Sequence, residues 1–250
     1  MREGELSGKV ALITGAQRGL GRAMALALGE AGAQLALVDL DPCAETCAEA
    51  RAAGIEAETY AADVSDEAQV ENLEKKVIAK FGKIDILINA AGIAMRKRVT
   101  ELTLSDWNRT IGVNLTGVFL LCRAFVPHMK GRGYGRIINM CSVMSHISTG
   151  DRPAYSASKA GLLGLTKAMA LDLADEKIAV VGISPGAFAT DMTAALRDDE
   201  AKNKELMAVT PMHRYGEANE IGALARYLCS DAAGYITGTD IVIDGGWMAR

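Results

Sequence analysis

The chain has 250 residues, of which 50% are apolar and 23% are charged, and its formal net charge at pH 7 is −4. This composition is typical of a globular protein with a sizeable core. The small negative charge gives no basis for binding nucleic acid or an anionic membrane. Segment 1–8 is polar and lacks the apolar core of a signal peptide, and the apolar runs fall short of the roughly 18 residues that span a bilayer. We therefore expect a cytoplasmic protein.

The five cysteines show no arrangement that favours a disulfide framework or a metal site. Cys43 and Cys47 are four positions apart on a predicted helix, and neither a Cys-x-x-Cys pair nor a histidine cluster accompanies them. Structural zinc sites need about four ligands at close spacing. The sequence therefore predicts reduced thiols and no bound metal, as in a reducing compartment.

Short apolar segments alternate along the chain with longer helical patterns. Several of the short segments are mostly apolar at consecutive positions, as in residues 10–13 and 84–88, which is typical of parallel strands covered by helices on both faces. Strands are predicted at Lys9–Thr14, Gln34–Asp39, Glu56–Ala61, Ile84–Ile88, Gly135–Met140, Ile178–Ile183 and Asp240–Ile243. Helices are predicted at Leu20–Ala31, Pro42–Ala53, Glu67–Phe81, Gly112–Met129, Ala154–Ala174 and Ala218–Cys229.

This alternation predicts a doubly wound α/β fold. We expect a single-domain Rossmann fold over residues 1–250, with a seven-stranded parallel sheet and helices on both faces. Right-handed crossovers follow from strand twist, and no linker, repeat or change of composition divides the chain. Segment 186–217 is polar, irregular and directly follows a strand, so we expect it to be a mobile lid over the site.

A glycine-rich turn follows the first predicted strand and opens the first predicted helix. Its glycines have the spacing Gly-x3-Gly-x-Gly, which permits a sharp turn and a close approach of the backbone to a pyrophosphate. The helix N-terminus adds free N–H groups and the positive end of its dipole. The turn therefore predicts a dinucleotide site formed by Gly15, Gln17, Arg18, Gly19, Leu20 and Gly21.

An acidic residue at the end of the second strand favours NAD over NADP. Asp39, followed by Leu40, lies eighteen residues after Gly21, close to the offset of about 20 residues for the carboxylate that binds the adenosine ribose. A carboxylate there repels a 2′-phosphate. Arg18 favours the opposite choice, because its guanidinium could pair with that phosphate. We give Asp39 more weight and expect a preference for NAD.

With these motifs, the chain from about Leu6 to Trp247 resembles the short-chain dehydrogenase/reductase family. The matching motifs are Thr14-Gly-x3-Gly-x-Gly21, Asp63-Val64, Asn89-Ala-Ala-Gly92, Asn114, Ser142, Tyr155-x3-Lys159, Pro185-Gly186 and Thr190. The resemblance implies three groups of cofactor contacts besides Tyr155 and Lys159. The adenine is contacted by Asp63 and Val64, and the adenosine by Asn89, Ala90, Ala91 and Gly92. The nicotinamide is contacted by Pro185, Gly186, Phe188 and Thr190.

The resemblance also implies a catalytic tetrad of Asn114, Ser142, Tyr155 and Lys159. Interconverting a ketone and an alcohol requires an acid or base at oxygen, and a free phenol is a poor base near neutral pH. An ammonium nearby favours the phenolate, and two residues four apart share one face of a helix. Ser142 would hydrogen-bond the substrate oxygen, and Asn114 would hold a water that links Lys159 to solvent.

Residues that choose the substrate are predicted around the nicotinamide end of the site. A basic cluster at Met95-Arg-Lys-Arg98 is either a solvated charge run or a site for an anionic substrate, because arginine binds carboxylates through two hydrogen bonds. The predicted substrate contacts are Arg96, Ser142, Met144, His146, Arg152, Tyr155 and Met192. For His146 the alternative is an exposed loop histidine, and for Met144 and Met192 an apolar wall.

The basic cluster and the Gly245-Gly-Trp247 ending resemble the gluconate 5-dehydrogenase branch of the family. This implies hydride transfer between a nicotinamide cofactor and a secondary alcohol or ketone of a sugar acid, polyol or sugar. The 3-oxoacyl carrier-protein reductases are nearly as similar, but they commonly use NADP, which Asp39 disfavours. A non-catalytic dinucleotide-binding redox sensor would not need the tetrad, because function resides in the site and not in the fold. The family also implies a homotetramer. The helices 112–129 and 154–174 carry more apolar residues than one buried face requires, and this surplus is either interface or deep core.

Overall fold

The computed structural model describes residues 4–249, so residues 1–3 and 250 of the predicted domain lie outside the described part. Its strands are β1 Val10–Thr14, β2 Gln34–Asp39, β3 Ala57–Ala61, β4 Ile86–Asn89, β5 Gly135–Met140, β6 Ile178–Pro185 and β7 Asp240–Ile243. They form one seven-stranded sheet in the order β3-β2-β1-β4-β5-β6-β7, and every pair is parallel. The predicted fold class is confirmed.

The strand order reverses between β1 and β4, and this reversal positions the site. β1 pairs with β2 on one side and with β4 on the other. The chain therefore leaves β1 and β4 in opposite directions and opens a crevice at their carboxyl ends, where ligands bind in open α/β sheets. Thr14 and Asn89 pair across β1 and β4 at the floor of this crevice.

Helices cover both faces of the sheet. Their bounds are α1 Gly19–Glu30, α2 Ala44–Ala52, α3 Glu67–Phe81, α4 Leu104–Ile111, α5 Gly117–Phe125, α6 Pro153–Asp172, α7 Asp191–Arg197, α8 Glu200–Val209 and α9 Ala218–Cys229. Every residue of β1, β4, β5 and β6 is buried, which explains the largely apolar sequences of β1, β4 and β6. The predicted helices are confirmed, whereas α4, α7 and α8 were not predicted.

The fourth predicted helix is longer than expected and contains a wide turn. It starts at Leu104, where Thr103 and Asp106 form a capping box, and a π-helical turn at Gly112–Thr116 joins α4 to α5. The prediction missed α4 because only its Thr110 is buried. Contrary to our expectation, Leu104–His128 is long and apolar enough to cross a membrane by length and composition, with a mean hydropathy of 1.5. Since α5 contributes Leu121 and Phe125 to the core, its apolar composition is that of a core helix.

Segment 186–217 is more regular than the sequence indicates, because it contains α7 and α8. No described residue of α7 is buried, and Leu206 is the buried residue of α8. Both helices therefore lack the apolar periodicity that predicts a helix. Phe188 and Gly216 form a short parallel bridge between the two ends of the segment.

Candidate active site

The glycine-rich turn has the conformation that a phosphate-binding loop needs. Gly15 and Gly19 have positive φ angles of 67° and 59°, which other residues rarely adopt. A Cβ atom at Gly21 would lie 2.1 Å from the Gly15 oxygen, so a side chain cannot fit there. No side chain caps α1 at Arg18. The first N–H groups of α1, which have no partner within the helix, are therefore available to an anion.

Asp39 lies beside this turn. One carboxylate oxygen accepts a hydrogen bond from Gln17 N at 3.2 Å and the other from Leu40 N at 2.8 Å. Gln17 Oε1 is buried and has no hydrogen-bond partner in the described part of the chain. Arg18 instead reaches Asp191 of α7, at 3.5 Å, with both side chains largely exposed. The structure thus brings the predicted ribose carboxylate and the first turn of the lid to the same loop.

The predicted adenosine side is built on the ends of β1 and β4. The hydroxyl of Thr14 accepts hydrogen bonds from Ala90 N at 3.1 Å and Ala91 N at 3.2 Å, which fixes the chain after β4 against β1. The Asp63 carboxylate accepts hydrogen bonds from the backbone and hydroxyl of Ser65. Val64 is buried. These contacts shape the wall of the crevice.

Asn114 occupies the π-helical turn and is completely buried. Its side chain accepts a hydrogen bond from Ile93 N at 2.9 Å and donates to Ile93 O at 2.9 Å and to Ser158 Oγ at 3.0 Å. A Cβ atom at Gly92 would lie 3.3 Å from Asn114 Oδ1 and 3.7 Å from Lys159 Nζ. Asn114 therefore holds the segment that follows β4 beside Lys159. The predicted water relay stays a prediction.

Lys159, Tyr155 and Ser142 meet at the carboxyl end of β5. Lys159 is buried and donates to the Met140 carbonyl at 2.5 Å. Its ammonium lies 5.8 Å from the centre of the Tyr155 ring, as their helical spacing predicts. The Ser142 hydroxyl accepts a hydrogen bond from Met144 N at 3.1 Å. The Tyr155 hydroxyl makes no hydrogen bond within residues 4–249 and is free to bind substrate.

The predicted nicotinamide contacts lie between β6 and the lid. Pro185 ends β6, and a Cβ atom at Gly186 would lie 2.8 Å from Asp244. Thr190 caps α7 and lies beside Gly19. Phe188 is buried, and its ring packs so closely on Gly216 that a Cβ there would lie 2.5 Å from it. The Phe188 ring is therefore a packing element.

The predicted substrate residues separate into two groups. Arg152 is partly buried, and burial first and the charge of Arg96 second lower the pKa of its guanidinium, whereas Tyr155 raises it. Met144 is buried, as a wall residue would be, whereas Met192 is 63% exposed on α7. His146 does not point into open space, because its Nε2 lies 2.6 Å from Asp240 Oδ2.

Three contributors to the site were not predicted. Ser158 holds Asn114, Asp191 pairs with Arg18, and Asp240 pairs with His146. Ser158 lies between Tyr155 and Lys159 on the predicted helix, so its position offered a weak signal. The other two are brought in by the tertiary fold and have no local signal.

Comparison with known proteins agrees with this geometry. The family model described as enoyl-(acyl carrier protein) reductase matches residues 15–248. The chain is 40% identical to D-threitol dehydrogenase from Mycolicibacterium smegmatis, over 98% of this chain and 95% of that protein. It is 37% identical to 2-dehydro-3-deoxy-D-gluconate 5-dehydrogenase from Dickeya dadantii, over 98% and 97%.

The chain belongs to the short-chain dehydrogenase/reductase family. It is also 39% identical to the 3-oxoacyl-[acyl-carrier-protein] reductase of a Synechocystis species, over 97% of this chain and 98% of that protein. The structure is similar to that of a gluconate 5-dehydrogenase from Burkholderia cenocepacia in complex with NADP and tartrate, with a TM-score of 0.94, 36% identity and coverage of 99% and 98%. As a member of this family, the protein is an NAD(P)-dependent oxidoreductase that acts on alcohol and keto groups.

The residues present fit a dinucleotide. The side-chain-free turn at Gly21, the uncapped start of α1 and the orphaned Gln17 Oε1 leave polar groups facing the crevice without partners among the described residues. Gly92 leaves the space above Asn114 and Lys159 open. No group of three His, Cys, Asp or Glu residues in the described chain could hold a metal ion, and the five cysteines are free and buried.

Proposed function

We propose that the protein is an NAD-preferring dehydrogenase that interconverts a secondary alcohol and a ketone on a small sugar acid. The observation that supports this substrate class is the hydrogen bond from Lys97 N to Asp151 O at 2.9 Å, which brings the segment with Arg96 to Arg152 at the start of the helix that carries Tyr155. The proposal makes these two guanidinium groups the site for the substrate carboxylate, with the reacting carbon held next to the tyrosine hydroxyl.

The basic cluster after β4 divides into paired and unpaired side chains. Lys97 forms an ion pair with Asp106 at 2.7 Å, and its backbone N donates to Asp151 O at 2.9 Å. Arg98 reaches Asp151 at 3.5 Å. These bonds join the segment that contains Arg96 to the loop that contains Arg152. Lys97 and Arg98 therefore have structural roles.

The side chains of Arg96 and Arg152 have no hydrogen-bond or ion-pair partner in the part of the chain that the structure describes. Arg152 is partly buried and Arg96 is exposed, and an anion bound near both would offset the repulsion between their charges. A carboxylate satisfies both guanidinium groups with directed hydrogen bonds. Arg152 precedes the helix that carries Tyr155 by one residue, so the proposal assigns the bound carboxylate to the molecule that reacts.

The relatives support a polyhydroxy substrate. Those named above include dehydrogenases for 2-dehydro-3-deoxy-D-gluconate and D-threitol, and the Burkholderia cenocepacia neighbour contains tartrate. Gluconates and tartrate carry carboxylates beside secondary alcohols, whereas threitol is uncharged. The unpaired arginines favour the acids over the polyols.

In this proposal each residue of the tetrad has one task. A nicotinamide held by Pro185, Gly186 and Thr190 would supply the hydride exchange with the substrate carbon. Tyr155 removes or supplies the proton at the substrate oxygen, and Ser142 hydrogen-bonds that oxygen. Lys159, held by the Met140 carbonyl, keeps its ammonium 5.8 Å from the centre of the Tyr155 ring. Asn114 keeps the exit of β4 in place and offers its remaining oxygen lone pair to the proposed water.

A substrate panel tests the proposal. Gluconate, 5-ketogluconate, 2-dehydro-3-deoxygluconate, threitol and acetoacetyl thioesters are compared by absorbance of the reduced cofactor. We expect the sugar acids to give the highest kcat/KM. Preference for the thioester would establish a 3-oxoacyl reductase in its place, and cofactor binding without turnover of any compound would favour a redox sensor.

Substitution of the arginines tests the carboxylate site. Arg152→Met and Arg96→Met remove charge while keeping an apolar stem, and each should raise KM for the acid about 10- to 100-fold, the size expected for losing a charged hydrogen bond. KM for threitol should change little. Arg98→Met is the matched control, because Arg98 already pairs with Asp151. Equal effects of all three variants would contradict the assignment.

The preference for NAD rests on Asp39, whose carboxylate is held at the end of β2 by Gln17 N. Several structural neighbours contain NADP, so the fold accepts the 2′-phosphate. The measurement is the ratio of kcat/KM for NAD and NADP. We expect NAD to be favoured and Asp39→Ala to reduce the ratio by at least about tenfold through loss of charge repulsion. A wild-type preference for NADP would overturn this part of the proposal.

We also propose that one domain, residues 1–250, binds both ligands, and that segment 186–217 closes over them as a lid. The pair between Arg18 and Asp191 supports contact of the lid with the glycine-rich turn.

A homotetramer in the cytoplasm is the proposed working form, as the family resemblance implies. Cell fractionation tests the location, and sedimentation tests the assembly.

A further inference from the structure

The segment that contains Ser142 is a single tight turn fixed to α6. Ser142 opens a 3-10 turn at Val143–Ser145, and its backbone N donates to Ser145 Oγ at 3.2 Å. The Ser145 hydroxyl in turn donates to the Lys159 carbonyl at 3.0 Å. The position of the Ser142 hydroxyl therefore depends on where this turn lies.

The other end of the turn is bonded to the edge of the sheet. His146 directly follows the turn, and its Nε2 lies 2.6 Å from Asp240 Oδ2 at the start of β7. The Asp240 side chain is only 5% exposed and the His146 side chain 28%. This contact joins residues 94 positions apart.

Within the described chain, His146 is the one hydrogen-bond partner of the Asp240 carboxylate. Its second oxygen, Oδ1, is buried and has no hydrogen-bond partner among residues 4–249. The oxygen lies over the backbone of β6, since a Cβ atom at Gly182 would be 2.5 Å from it and 3.1 Å from Cys141 Sγ. Cys141 directly precedes Ser142. A buried carboxylate without its partner is strongly unfavourable, so Asp240 holds His146 firmly.

We propose that His146 and Asp240 are positioning residues, which hold the Ser142 turn against β6 and β7 so that the Ser142 hydroxyl faces the substrate oxygen. The inference rests on the proposed role of Ser142 at that oxygen. It replaces the sequence-based interpretation of His146 as a substrate contact. Neither residue touches the glycine-rich turn, so cofactor binding does not depend on the pair.

Variants of the pair test the inference, with gluconate or the best acid of the panel as substrate. His146→Ala and Asp240→Asn should each lower kcat about 10- to 100-fold, because small misplacements of a reacting group have effects of this size. KM and the dissociation constant of NADH should stay nearly unchanged. His146→Gln, which places an amide N–H near the Nε2 position, should restore most of kcat. The double variant should lose no more than either single one.

His128→Ala is the matched control, because His128 forms a similar pair with Glu74 at 2.5 Å on helices away from the site. It should leave kcat unchanged even where it lowers thermal stability. A rise in KM without loss of kcat in His146→Ala, or equal kcat losses in the His128 and His146 variants, would overturn the inference. If His146→Ala does not fold, Asp240→Asn tests the inference in its place. It should lower kcat and leave KM nearly unchanged, and a rise in KM without loss of kcat would overturn the inference.

Ser142→Ala, measured in parallel, separates this inference from the proposed function. Loss of kcat in Ser142→Ala with a normal kcat in Asp240→Asn refutes only the positioning pair. A normal kcat in Ser142→Ala refutes the role of Ser142, on which the pair depends.

Discussion

The hydroxyl of Tyr155 is the group on which the proposed chemistry depends most directly. Tyr155→Phe removes the proton donor but keeps the ring beside Lys159. We expect kcat to fall by roughly 10²–10⁴, the usual contribution of general acid–base catalysis, with NADH affinity retained. Steady-state kinetics and fluorescence titration measure both quantities.

Tyr227→Phe is a suitable control for this substitution, since Tyr227 is 40% exposed on α9. Its kcat should equal that of the wild type. Near-normal turnover of Tyr155→Phe would remove the tyrosine from the mechanism.

Gly92 is a second test at the scale of single residues. A methyl group there would lie 3.3 Å from Asn114 Oδ1, closer than carbon and oxygen pack comfortably. Gly92→Ala should therefore displace Asn114 or the cofactor and lower kcat/KM. Gly164→Ala is its control, because Gly164 lies in α6 with open space around it. Alanine there should stabilise the fold by up to about 1 kcal/mol without altering kinetics.

The sequence identifies the residues whose chemistry is local. The spacing of Tyr155 and Lys159 on one helix face, and of the glycines in one turn, is visible without a fold. The partners of Arg18 and His146 are not, because Asp191 and Asp240 lie far along the chain. Only the register of β7 against β6, which pairs Asp240 with Gly182, brings the carboxylate to the histidine.

At the scale of elements, strands are easier to predict than short surface helices. β1 and β4 are buried on both faces, so their apolar residues alone indicate strands. α4 and α7 bury almost nothing and are set by capping residues and by neighbouring segments. The pattern of apolar segments along the chain therefore predicts the fold class. It does not predict the helices of the lid.

The start of α4 makes a pH-dependent contribution to stability. The Lys97 ammonium first, and Thr103 second, lower the pKa of Asp106 from 3.8 to about 2. Because the pKa is lower in the folded state, the charged carboxylate favours folding above pH 3.8, and this contribution is lost as the pH falls towards about 2. Asp106→Asn should lower the urea midpoint at pH 7, and the difference from wild type should shrink as the pH is lowered to about 3.

Asp175→Asn is the control for this experiment, because Asp175 is exposed and forms no hydrogen bond or ion pair that involves its side chain within the described chain. Its urea midpoint should follow that of the wild type at each pH. A difference for Asp106→Asn that persists unchanged at the lowest pH would show that capping geometry, and not charge, is responsible.

The whole molecule has an uncovered edge at β7, which pairs only with β6 in the sheet of the described chain. Val242 in the strand is 39% exposed and Tyr235 before it is fully exposed, and Leu171, which follows Ala170 beside Gly238, is 81% exposed. Open edges and apolar patches of this kind are usually covered by a partner. We expect wild-type protein to sediment as a tetramer and Leu171→Glu to shift it towards smaller species. A wild-type monomer at micromolar concentration would refute the proposed assembly.

The π-helical turn at Gly112–Thr116 lets Phe125 lie in the interior while Asn114 contacts Ile93. A regular α-helix could not place both residues in this way. Each residue advances an α-helix by about 100°, so removing one residue from the turn would rotate α4 and α5 relative to each other by that angle. Either Phe125 would leave the interior or Asn114 would swing away from Ile93. A shortened chain would therefore keep a well-formed helix and still lose either its packing or its active geometry.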